Sequence, residues 1–242
     1  MTTGFYVGCA GWSLPRVHWP AFAGEGTYLQ RYASRFNAVE INSSFYRPHL
    51  PKTYARWGQS VPPAFGFSVK VPKQITHALR LQQCETALDE FLEQCLPLGE
   101  KLGCLLVQLP PSLSYEPAVA LRFFTALRQR FSGNVVLEPR HASWLDAEAL
   151  LQDWQIGRVI ADPAVIEAGA GWQGVQYWRL HGSPRIYHSA YGPECLQAFA
   201  LQLSHSVAAG IPTWCIFDNT ASGHAVADAL YLLDFYAKHF QP

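Results

Sequence analysis

Three pairs of charged or polar residues stand two apart at the ends of apolar runs: Glu40 and Asn42 in "AVEINSSF", Glu138 and Arg140 in "NVVLEPR", and Arg179 and His181 in "VQYWRLHG". Side chains alternate faces along a strand, so the two members of each pair point the same way. Lys70 in "FGFSVKVP", Gln108 in "GCLLVQLP", Asp162 in "GRVIADP" and the adjacent Asp218 and Asn219 in "TWCIFDN" end further runs in the same manner. Carboxylates interleaved with cations suit general acid–base work on an anion. Guanidinium forks match carboxylate or phosphate oxygens, which gives Arg140 and Arg179 the role of an anion clamp. Glu138 is then expected as the general base, His181 as the acid and Lys70 as the stabiliser of developing negative charge, with Glu40 and Asp162 as further catalytic carboxylates. Roles within this set are interchangeable. The competing reading is a buried ion-pair network that only plugs the fold.

Of Asp218 and Asn219 only one can face inward, and Asn219, on Phe217's side of the strand, is the expected one. Asn42, His77 and Gln108 join it as ligand-binding candidates. Trp12 and Trp144 each follow a strand and are candidates to stack on a planar or sugar-like ligand, with core packing as the alternative. Tyr191, in "HSAYGPE", completes the ligand-binding set.

These residues need a frame that brings strand ends together. Eight short apolar runs are expected strands, beginning at Phe5, Ala38, Phe65, Gly103, Asn134, Gly157, Val175 and Thr213. Between them lie stretches with helical spacing: Tyr28 to Phe36, Cys84 to Leu102, Pro117 to Phe131, Asp146 to Trp154, Glu194 to Ala209 and His224 to Phe240. One irregular stretch, "DPAVIEAGAGWQGV", replaces a helix after the sixth strand. Alternation of this kind predicts a parallel sheet covered by helices, and eight units in 242 residues predict a single-domain (β/α) barrel over residues 1–242. In that architecture all eight C-terminal strand ends meet at one rim, where active sites lie.

Composition narrows the function classes. The 49% hydrophobic and 15% charged residues describe a globular chain, and no apolar run nears the roughly 20 residues of a membrane span. The N-terminus lacks a secretory pattern and the six cysteines form no C-x-x-C pair, so a reducing, cytoplasmic setting is expected. Eighteen basic residues balance eighteen acidic ones, which disfavours a nucleic-acid or phosphodiester-directed barrel without removing it. No G-x-G-x-x-G, P-loop, H-E-x-x-H or G-x-S-x-G occurs, so no organic cofactor is specified. A divalent metal would have to draw on Glu40, Asp162, Glu138, His77 and His181. The expected partner is an anionic small molecule, phosphorylated or sugar-like. A glycosidase-like use of Glu40 with Glu138, or ligand binding without chemistry, are the other options.

The segments "VGCAGWS", "VEINSSFYR", "FSVKVPKQITH", "VQLPPSL", "LEPRHASW" and "RLHG" occur in this order over nearly the whole chain. In these motifs the sequence resembles the YecE-like family, also called domain of unknown function 72. The resemblance implies a TIM-type barrel and no assigned reaction. It also implies two asparagines after Phe217, where this chain has Asp218 and Asn219, and a tyrosine where it has Leu14.

Overall fold

The computed structural model describes residues 4–166 and 171–240. Eight parallel strands form one sheet: β1 (Phe5–Cys9), β2 (Ala38–Ile41), β3 (Gly66–Lys70), β4 (Leu102–Gln108), β5 (Asn134–Glu138), β6 (Ile156–Asp162), β7 (Gln176–Leu180) and β8 (Thr213–Phe217). Their order, β1-β8-β7-β6-β5-β4-β3-β2, follows the chain around a barrel. Among the described residues seven α-helices cover it: α1 (Tyr28–Tyr32), α2 (Pro51–Gln59), α3 (Glu85–Cys95), α4 (Pro117–Arg128), α5 (Glu148–Asp153), α6 (Pro193–Ala208) and α7 (His224–Phe240). All eight expected strands are present. Helix α2 was not expected, because "PKTYARWGQ" is polar on average and buries only Tyr54 and Gly58. Between β6 and β7 the described residues contain no α-helix, and residues 167–170 of the irregular stretch lie outside the described residues.

The apolar residues divide by strand phase into two clusters. Val7, Ile41, Val69, Val107, Leu137, Leu180 and Phe217 belong to the layer between sheet and helices. Ala38, Cys104, Leu106, Val136, Val159, Tyr177, Trp214 and Ile216 fill the barrel itself. Trp214 stacks on Tyr6, with ring centroids 4.3 Å apart, and lies parallel to Tyr177 at 6.0 Å. This aromatic floor closes the lumen below the charged residues.

The seam between β1 and β2 is closed differently from the other seven. Here the strands share a single bridge, Ala10 to Glu40, and side chains supply much of the pairing. Tyr32 Oη accepts from Cys9 N at 2.7 Å and donates to the Ala38 carbonyl at 2.9 Å. Asn37 accepts from Val7 N and donates to the Phe5 carbonyl. Gly8 is required at this seam, since a Cβ there would lie 1.9 Å from the Ala38 oxygen.

Tyr32→Phe should therefore leave a buried N–H and a buried C=O unpaired and cost about 2–4 kcal/mol. Urea denaturation of the variant against the parent measures this loss.

Candidate functional site

The barrel places Glu40, Lys70, Gln108, Glu138, Arg179 and Asp218 at the C-terminal ends of six strands, all of them buried. At the centre is Arg179, with no exposed surface. Its Nε and Nη2 donate to Glu40 Oε2 and Oε1 at 3.0 and 2.9 Å, Nη1 donates to Glu138 Oε2 at 2.5 Å, and Nη2 donates to Asp218 Oδ2 at 2.8 Å. One guanidinium thus holds three carboxylates from β2, β5 and the end of β8. This geometry corrects the expected anion clamp: Arg179 commits four of its five N–H groups to the protein and is sealed from solvent. Glu40 and Glu138 are joined through Arg179, so they do not face each other across open space as a glycosidase-like pair requires.

Each carboxylate in turn positions other groups. Glu40 Oε2 also accepts from Tyr177 Oη, which lies 2.7 Å from Ser68 Oγ, can accept that serine's proton and ties the network to the aromatic floor. Glu138 Oε1 accepts from Gln108 Nε2 at 3.0 Å and from Arg140 Nε and Nη2 at 3.1 and 2.9 Å. Burial alone would raise the Glu138 carboxyl, but Arg179, with His181 and Arg140 behind it, outweighs burial and holds it well below the usual carboxylate range. With both oxygens engaged and its basicity suppressed, Glu138 is unsuited to the general-base role expected of it.

Asp218 replaces Asn219 at the site. The interior phase of β8 runs through Trp214 and Ile216 to Asp218, whereas Phe217 faces the helices. Asn219 turns outward and donates to the Ser189 carbonyl and to Asp228 Oδ2. Asp218 Oδ2 lies 3.1 Å from His181 Nδ1, a contact that fixes the imidazole and leaves Nε2 outward. That Nε2 is buried without a hydrogen-bond partner, and Glu138 Oε1 is 3.7 Å away, too far for one. Burial lowers the His181 value, but the Asp218 contact and the neighbouring carboxylate reverse this and raise it above the ordinary histidine range.

Lys70 is the exception among these charges. Its Nζ makes no hydrogen bond or ion pair with the described residues and sits 4.3 Å from the centre of the Phe45 ring. Burial first, then Arg179, outweigh the pull of Glu40, Glu138 and Asp218, and bring its pKa down to about 8. Arg140 keeps 21% of its side chain exposed. Its Nη2 donates to Tyr187 Oη at 3.2 Å, and the Tyr187 ring stands edge-on to His181 with centroids 5.4 Å apart. Tyr187 adopts φ +68°, a backbone state that non-glycine residues rarely hold. No strand or helix period marks it, so its turn position concealed it.

The remaining candidates divide. His77 lies in a π-helical turn (Gln74–Ala78) with its ring against Phe45 at 5.0 Å, and burial followed by Lys70, Lys73 and Arg140 lowers its pKa. Asn42 and Trp12 line a neighbouring cleft. Asp162 turns away from the cluster and accepts from Tyr191 Oη at 2.9 Å. Tyr191 is buried and also accepts from Gly182 N, so it anchors the segment after β7 and leaves no group for a ligand. Trp144 is 1% exposed and donates its indole N–H to the Leu113 carbonyl, which makes it core. Among the described residues no group of three or more His, Cys, Asp or Glu is arranged to hold a metal ion.

Removing Arg179 should strip Glu40 of its ion-pair partner and leave Glu138 and Asp218 with only Arg140 and His181 beside them. Arg179→Met is expected to cost about 3–5 kcal/mol at pH 7. Because Glu138 and Asp218 are held below their ordinary values, their contribution to stability is present above the usual carboxylate range and is lost as pH falls through the depressed folded values. The deficit of the variant should therefore hold from pH 7 down to the ordinary carboxylate values of 4.5 and 3.8 and shrink below them, as followed by urea denaturation across that range.

With this geometry in place, the comparisons with known proteins read consistently. A family model described as "Protein of unknown function DUF72" matches residues 6–242. UPF0759 protein YecE of Escherichia coli K12 is 30% identical over 171 residues, 67% of this chain and 61% of that protein. UPF0759 protein YunF of Bacillus subtilis is 30% identical over 145 residues, 57% of this chain and 51% of that protein. The matches thus span about three fifths and half of those relatives' lengths. Crystal structures of DUF72 family proteins from Enterococcus faecalis (TM-score 0.78, 20% identity, 96% of each chain) and Thermotoga maritima (TM-score 0.76, 24% identity, 96% of this chain and 98% of that one) share the fold. No helix among the described residues is long and apolar enough to cross a membrane. The eight-stranded parallel barrel, matched by the family model over residues 6–242, belongs to the DUF72 family.

Proposed function

We propose that the barrel is an enzyme that binds a small anionic substrate at its C-terminal rim and moves protons with Lys70 and His181. The observation that carries this reading is the Lys70 ammonium, which ends a buried side chain and makes no hydrogen bond or ion pair with the described residues, while the charges around it are linked to one another. With Lys70 protonated and His181 neutral, three cations face three carboxylates; protonating His181 adds a surplus positive charge that an anion offsets. A structural plug would have paired Lys70 or replaced it with an apolar residue, because a buried unpaired charge destabilises a fold.

In this scheme Lys70 and the half-covered Arg140 hold the anion. Lys70, with its value near 8, exchanges a proton close to neutral pH, as an acid–base group needs to. His181, oriented through Nδ1 by Asp218, offers Nε2 as the second proton-transfer atom, in the arrangement by which a carboxylate fixes a catalytic imidazole. The Tyr187 ring stands edge-on beside this imidazole, with centroids 5.4 Å apart. Arg179, Glu40, Glu138 and Gln108 are positioning residues that fix these groups without touching substrate. The six free cysteines, five of them buried, accord with the cytoplasmic setting that this reading assumes.

Inorganic phosphate is the simplest probe. The ammonium is present below about pH 8 and lost above it, so phosphate affinity measured by titration calorimetry should fall as pH rises through 8. Lys70→Met should abolish that binding in a variant that remains folded by circular dichroism. A lower Tm with unchanged phosphate binding would mean that Lys70 is structural and that this reading is wrong.

A further inference from the structure

Beside the charged mouth, at the ends of β1 and β2, opens a cleft of about 510 Å³, a volume within the range of small-molecule sites. Trp12, Tyr28, Asn42, Ser43, His49 and Trp57 line it. None of the aromatic pairs measured here is parallel. Trp12 meets Trp57 at 73° with centroids 5.0 Å apart, and His49 meets Trp57 at 72° and 5.1 Å. The walls therefore offer single ring faces beside polar groups, and no slot that would clasp a flat heterocycle from both sides. A pyranose has the complementary character, with C–H groups for an aromatic face and hydroxyls around its edge.

The polar groups are free to meet such hydroxyls. The Asn42 side chain makes no hydrogen bond with the described residues, and its Oδ1 is buried without a partner. Ser43 Oγ lies 2.8 Å from His49 Nε2. Whichever of the two supplies the proton, the serine keeps either a lone pair or an O–H for a ligand, and a sugar hydroxyl can meet both.

A short turn, Ser43–Phe45, separates this cleft from the mouth and belongs to both. Ser43 faces the cleft, the Ser44 hydroxyl donates to the Lys70 carbonyl at 2.6 Å, and the Phe45 ring carries the Lys70 ammonium. We propose that the cleft is a pyranose-binding subsite. The substrate is an anionic sugar whose ring lies against Trp12 and Trp57, with hydroxyls on Asn42 and Ser43, and whose anionic group reaches past the turn to Lys70 and Arg140. This inference rests on the anion-binding reading above and names the rest of the substrate.

Neutral probes separate the two claims. Methyl glucopyranoside, galactopyranoside and mannopyranoside are tested against the full chain by saturation-transfer NMR and tryptophan fluorescence, and inorganic phosphate binding is measured on the same preparation. At least one pyranoside is expected to receive saturation transfer and shift the fluorescence. Asn42→Ala and Trp12→Leu are each expected to weaken it about tenfold or more, roughly the loss of one good hydrogen bond or one stacked ring. Circular dichroism and Tm confirm that the variants are folded, and Asn42→Ala, which removes no core contact, serves if Trp12→Leu is not. Phosphate binding without any pyranoside signal, or a pyranoside signal that folded Asn42→Ala leaves unchanged, would overturn the sugar subsite and leave the anion site standing. Loss of phosphate binding itself would instead remove the reading on which it rests.

Discussion

The upper half of this barrel is organised around one guanidinium. Arg179 reaches into the lumen from β7 and spends four N–H bonds on carboxylates from β2, β5 and the end of β8. Four charged side chains removed from water carry a desolvation cost of several kcal/mol each, and only close geometry with nearly every lone pair and proton satisfied offsets it. The consequences spread outward by hydrogen bond. Glu138, held in place, orients Arg140 and Gln108; Asp218 orients His181; Glu40 receives the Tyr177 hydroxyl and links the network to the Trp214 floor. The site is rigid because these partners over-determine one another.

Within so well-matched a network, the groups left unmatched stand out. Lys70 has a ring beside it where a carboxylate would be the stable choice, and His181 keeps a buried nitrogen without a partner. Natural sequences violate local rules of stability mainly where function requires it. Tyr187 fits the same pattern, with a backbone strained at φ +68° and a side chain that bridges Arg140 and His181. Rigid carboxylates below and titratable, partly covered groups above form a division between scaffold and working surface.

Much of the frame was legible in the sequence because strand periodicity is a local property. Eight apolar runs ending in polar residues two apart are enough to place a barrel and its rim. Glu138 and Arg140 meet as their spacing requires, whereas Asn42 falls past the end of β2 in a helical backbone state and lines the neighbouring cleft instead of joining Glu40. Division of labour was not legible, because it depends on distance across the lumen: Arg179 and Arg140 have the same spacing pattern, yet one is sealed and the other half-covered. The phase of Asp218 was hidden because β8 is apolar on both faces, so Phe217 and Ile216 are equal candidates for the interior. Trp144 follows a strand as Trp12 does, but the turn after β5 folds its indole into the core while Trp12 lines the cleft.

The central claim is that the mouth is built to hold an anion on a depressed lysine. Direct NMR titration of Lys70, through 13C at its Cε with the assignment made by its replacement, tests this most closely. The account predicts a midpoint near 8 in the free protein, moving upward when phosphate is added, since an anion that binds the ammonium must also stabilise it. A midpoint near the ordinary 10.5 that phosphate leaves in place would contradict it.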